Sequence, residues 1–83
     1  MLRREIWVDG KGRLVHYNLA YINQLIYADD NGRVLGYDSA HGIHHRHFKG
    51  ETTAVSFKRF ERIEARFLQE WRRLVKEVTR AKN

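Results

Sequence analysis

Apolar and polar positions alternate with a period of two through the first fifty-seven residues. After that they recur every three or four. Leu2 to Val8 predicts a short strand. It is followed by Asp9-Gly10-Lys11-Gly12, whose glycines suit a chain reversal. Arg13 to Ile22 predicts a second strand, with Val15, Tyr17, Leu19 and Tyr21 on one face and His16 and Asn18 on the other. Asn23-Gln24 predicts a short break. Leu25 to Ala28 and Val34 to Tyr37 flank Asn31-Gly32, a pair that favours a type I′ turn. The spacing predicts a hairpin that sets Asp30 opposite Arg33, Ala28 opposite Leu35 and Ile26 opposite Tyr37, with Asp38 facing away from Tyr37.

Neither period continues through Ser39 to Gly50, a glycine-bracketed stretch that reads as an ordered loop. Thr52 to Phe57 predicts a β-branched strand. Phe60, Ile63, Phe67, Trp71, Leu74, Val75 and Val78 then form an amphipathic helical stripe. Its 3-4-4-3 steps break a strict heptad, so the helix is expected to pack on a sheet rather than in a coiled coil.

The expected fold class is α+β: a single antiparallel sheet of four to five strands with one long C-terminal amphipathic helix packed on one face. The chain reads as one domain, 1–83, with the sheet and a His-rich loop (39–50) in 1–57 and the helix in 58–83. Five strands are about 20 Å across, whereas one helix is about 10 Å wide. Part of the sheet is therefore expected to stay uncovered. With Trp7 and Tyr27 available to it, that area would serve a partner or a homodimer.

Composition narrows the class. At 83 residues the chain is one small domain. It contains no cysteine, so neither disulfides nor thiolate chemistry are open to it, and a reducing, cytoplasmic setting is expected. The charged N-terminus does not resemble a signal peptide, and no apolar run has the length of a membrane span. Charge is unevenly spread. Residues 1–57 carry seven basic and six acidic side chains, a net of +1, whereas 58–83 carry nine and four, a net of +5. Such a helix either solubilises the domain or attracts a polyanion or acidic partner.

Four of the five histidines, His41, His44, His45 and His47, fall within seven residues, beside Arg46 and Lys49 and after Asp38. Three chemistries fit this cluster. One is metal-independent RNA cleavage, in which imidazoles that titrate near neutrality act as acid and base and arginine steadies phosphate. On an extended backbone His45 and His47 would share one side with Arg46 opposite. A second is a divalent metal held by imidazoles and a carboxylate or water, a possibility opposed by the basic neighbours. A third is simple grip on a polyanion. His16, alone on its strand, reads as a half-exposed structural residue.

The run Tyr37-Asp38-Ser39-Ala40-His41-Gly42-Ile43-His44-His45-Arg46-His47 resembles the TumE-like toxins of bacterial and archaeal toxin–antitoxin modules. Asn31-Gly32-Arg33-Val34 and the Phe60–Trp71 helix are similar to the family pattern as well, and Ser39 stands where that pattern has asparagine. The resemblance implies a growth-inhibiting toxin neutralised by a separately encoded helix-turn-helix antitoxin. Extended by the loop chemistry, it suggests an endoribonuclease. In that reading His41, His44, His45 and His47 supply proton transfer, Arg46, Lys49 and Tyr37 bind phosphate or substrate, and Asp38 orients a histidine. A non-catalytic module that binds nucleic acid or a partner through the helix, and a metal-dependent nuclease or nucleotidyl-transfer toxin, are the alternatives.

Overall fold

The computed structural model describes residues 1–40, 42–56 and 59–81, with side chains described through residue 77 apart from that of Ala40. Five strands, β1 (Leu2–Val8), β2 (Leu14–Ile22), β3 (Arg33–Ala40), β4 (Ile43–Phe48) and β5 (Glu51–Ala54), form one antiparallel sheet in chain order. Helix α1 (Phe60–Ala81) lies over β2 and β3. The α+β class is as expected.

The core follows from matched faces. Tyr17, Leu19 and Tyr21 of β2 bury beside Leu35 and Tyr37 of β3, and Ile63 and Phe67 of α1 close over them. Phe60, Trp71 and Leu74 pack against this cluster from the same helix stripe. Val15 is exposed instead, and Val75 lies at the stripe's margin. The expected positions Phe57, Lys58 and the Val78 side chain lie outside the described residues.

Two expectations are corrected. Leu25 to Ala28 is not a strand, and β3 pairs with β2 through Leu19↔Tyr37 and Tyr21↔Leu35. The cause is local. The Asn23 side chain accepts from Leu25 N at 3.0 Å, and its carbonyl accepts from Ile26 N and Tyr27 N, so the backbone turns instead of extending. Asn31 and Gly32 do adopt the positive φ of a tight turn, at 56° and 82°, and Asp30 joins them at 52°. Asp30 meets Arg33 as a side-chain ion pair at 2.8 Å, not as a strand partner.

The second correction concerns 39–50. This stretch is a hairpin of β3 and β4 whose turn uses Gly42 at φ +76°, not a loop. A further short turn at Lys49-Gly50 leads into β5.

One transverse row ties the helix to the sheet. Register aligns Arg4, Leu19, Tyr37 and Arg46 across β1 to β4. Leu19 and Tyr37 fill the middle, Arg4 at one end pairs with Glu64, and Arg46 at the other pairs with Glu70. The helix is held on both flanks.

Candidate functional site on the open face

Because cross-strand partners share a face, the register gives the uncovered side directly. One row runs Glu5, Asn18, Asp38, His45, Ala54, and the next runs Arg3, Ala20, Gly36, His47, Thr52. Trp7 and His16 lie beside them, their rings tilted by 40° with centroids 4.7 Å apart. His45 and His47 thus share the face of Asp38, while His44 and Arg46 point to the helix side.

Asp38 is the hub. His47 Nε2 lies 2.9 Å from its Oδ2, and His45 Nδ1 lies 3.7 Å from its Oδ1. The His47 approach is short but is not an aligned hydrogen bond. Arg33 Nη1 donates to Asp38 Oδ2 at 3.3 Å, and Arg33 Nε donates to Asp30 Oδ2 at 2.8 Å. Arg33 reaches this position by lying over Gly36, where a Cβ would fall 2.8 Å from Arg33 Cδ. Glycine here makes room for a guanidinium.

The two histidines differ in exposure. The His47 side chain is 15% exposed, its Nδ1 shares a 3.1 Å hydrogen bond with Thr52 Oγ1, and its Nε2 is buried beside Asp38 without an aligned hydrogen bond. His45 is 27% exposed, lies against Asp38 through Nδ1, and sets its ring 6.1 Å from that of His47. Its neighbour in the row on β5 is Ala54, a small side chain. A partly exposed imidazole beside a carboxylate can exchange a proton with a bound ligand.

The helix face carries a separate polar set. The Tyr17 hydroxyl and His44 Nδ1 are 2.9 Å apart, and their rings stack at 5.6 Å. Burial, and then the Asp38 charge, push the Tyr17 phenol up to about 12, so it stays protonated and donates. Burial, and then the neighbouring His45, hold His44 below the usual imidazole range, which suits a neutral acceptor. The Tyr37 hydroxyl donates to Glu70. Burial and that carboxylate push its pKa up to about 12. Arg46 Nε donates to Glu70 Oε2 at 3.1 Å. Burial alone would raise the Glu70 pKa, but the hydrogen bonds from Arg46 and Tyr37 and the charges of Arg46 and Arg66 outweigh it, and the carboxyl sits below its ordinary range.

The cluster read from the sequence is therefore divided. The structure brings together Asp38, His45 and His47. It places His44, Arg46 and Tyr37 on the opposite face and Lys49 over the Phe48 ring at 5.5 Å, and His41 lies outside the described residues. His16 is half-buried and shares a 3.1 Å hydrogen bond with Ser39 Oγ, which also accepts from Tyr17 N. Among the described residues no three acidic or imidazole side chains converge to hold a metal ion. Sequence reasoning missed Arg33, Gly36 and Thr52. The Asp30-x-x-Arg33 spacing and a glycine inside a strand were the available signals.

Comparison with known proteins adds one finding. The family model described as toxin TumE matches residues 2–78, nearly the whole chain. No curated protein and no solved structure matches.

Proposed function

We propose that this chain, which belongs to the toxin TumE family, exerts its toxicity by cutting RNA without a metal, at the Asp38–His45–His47 cluster. The family makes it a toxin of a toxin–antitoxin system, with an antitoxin as its partner. The finer reading is supported by one observation above all: two imidazoles on one sheet face share a carboxylate, with Arg33 against that same carboxylate.

The reaction needs two proton transfers. In this assignment neutral His45 takes the 2′-hydroxyl proton at Nε2 as the 2′-oxygen attacks the adjacent phosphorus. Protonated His47 gives its Nδ1 proton to the departing 5′-oxygen, which replaces Thr52 as partner. The P–O5′ bond breaks, leaving a 2′,3′-cyclic phosphate and a 5′-hydroxyl. Asp38 orients both rings and stabilises the imidazolium, and Arg33 lends positive charge to the phosphorane. Arg46, held by Glu70, is a structural cation in this scheme.

The test is growth of cells expressing the chain without antitoxin. Loss of a proton-transfer group lowers rate by about 10²–10⁴, so His45→Ala restores growth while the purified variant keeps its circular dichroism and melting temperature. A folded, fully toxic His45→Ala variant overturns the assignment. Neutralisation by an adjacent helix-turn-helix protein completes the proposal for the partner.

A second reading rests on the helix. Gln69, Arg72, Arg73 and Lys76 line a surface depression of about 230 Å³ on α1. If toxicity is binding alone, reversing Arg72, Arg73 and Lys76 abolishes it and the histidine changes do little.

A further inference from the structure

The open face has a hollow beside Arg33. Arg33 covers Gly36, and Ala20, the cross-strand partner of Gly36, has too small a side chain to fill the space next to it. Around Ala20 and Ile22, Arg3, Asn18, Asp30, Asn31 and Arg33 wall a cavity of about 280 Å³. It lies in the row that continues from Gly36 to His47, and Arg33 joins it to Asp38 at 3.3 Å.

Its chemistry does not favour a bare phosphate. Arg3 and Arg33 are offset by Glu5, Asp30 and Asp38, so the wall has little net positive charge. What it offers is a mixed set of donors and acceptors: two guanidiniums, a carboxylate and two carboxamides. That set matches the edge of a nucleobase, which presents donors and acceptors together. Two observations point to an occupant. Asn18 Oδ1 is buried without a hydrogen-bond donor, although its Nδ2 donates to Glu5 Oε1 at 3.2 Å. Asp30 and Asn31 are consecutive non-glycine residues held at φ 52° and 56°, a backbone state that has an energetic cost and clusters at ligand sites. The volume is near the small end for ligand pockets, about 300–1,000 Å³, and suits one nucleotide rather than a folded element.

We infer that this hollow is a base-reading subsite, holding the nucleotide next to the scissile phosphate and setting which RNA sequence is cut. Asn31 and Asp30 face the base edge, Asn18 gains the donor it lacks, and Arg3 stacks on or pairs with the outer rim. The inference rests on the ribonuclease reading above and adds its specificity.

The test maps cleavage sites of purified wild type, Asn31→Gly and Arg3→Ala on a mixed-sequence RNA. Asn31→Gly keeps the positive φ and removes only the side chain. Wild type is expected to prefer one base beside the cut by about tenfold or more, and Asn31→Gly to lose most of that preference while still cutting. An unchanged preference in both variants, both active, overturns the subsite. If wild type cuts no RNA, the ribonuclease reading falls by itself. The hollow is then judged by titrating labelled wild type with the four nucleoside 3′-monophosphates. Shifts at the Asn18 and Asn31 amides that differ among the bases support it, and the absence of shifts there contradicts it.

Discussion

Glu70 accepts from Tyr37 and Arg46 at once and lies near Arg66, at 3.7 Å. Glu70→Gln leaves a partly buried guanidinium without its charge, and hydrogen bonds to charged groups are worth about 1.5–3 kcal/mol. Denaturant unfolding should show a loss of that size. Because the folded carboxyl titrates below its ordinary range, its contribution is complete above the unfolded value. It fades as pH falls through the folded one. His44 has the same sign in a higher window. Its folded pKa lies below the unfolded imidazole's, near 6.5, so its neutral form favours folding above that pH and the advantage disappears on acidification. The stability gap between wild type and His44→Gln is therefore larger at pH 7.5 than at pH 5. A gap that widens toward acid would mean that His44 is held protonated.

Among the elements, helix α1 and strand β2 were legible because one face of each is wholly apolar: Ile63 and Phe67 on one, Tyr17, Leu19 and Tyr21 on the other. Strand β4 was not legible. Its alternation is His44 and Arg46 against His45 and His47, polar on both sides, so a hydrophobic period has nothing to register. The helix face of β4 is polar because Tyr17 and Glu70 receive it, and the other face is polar because it carries the candidate site. The 25–28 segment misled for the opposite reason, since its apolar residues look strand-like while Asn23 turns the backbone. Gly36 carries the most local test at this scale. A Cβ there meets Arg33 Cδ at 2.8 Å and the Leu19 carbonyl oxygen at 3.3 Å. Gly36→Ala should cost about 1–3 kcal/mol and displace Arg33 from Asp38, visible as moved Arg33 guanidinium and His47 ring resonances by NMR at fixed pH. Unmoved resonances would detach Arg33 from the cluster.

The whole molecule divides its work between two faces. One side is closed by α1 and carries the packing, the paired Arg4–Glu64 and Arg46–Glu70 clamps, and a cationic outer helix. The other is uncovered and carries Asp38, His45, His47 and the hollow. No helix among the described residues is long and apolar enough to cross a membrane. On this division, substrate attraction and substrate cutting separate. Reversing Arg72, Arg73 and Lys76 should weaken RNA binding and flatten its salt dependence, by roughly one unit of log–log slope per lost phosphate contact. His45→Ala should leave both nearly intact. The separation is decided most directly by end-group analysis of RNA incubated with purified wild type and purified, folded His45→Ala, in EDTA. Wild type is expected to leave 2′,3′-cyclic phosphate and 5′-hydroxyl ends, which accumulate about 10²–10⁴ times more slowly with the variant. Equal rates from the two proteins, or cleavage by wild type that stops in EDTA, would contradict metal-independent cleavage by His45.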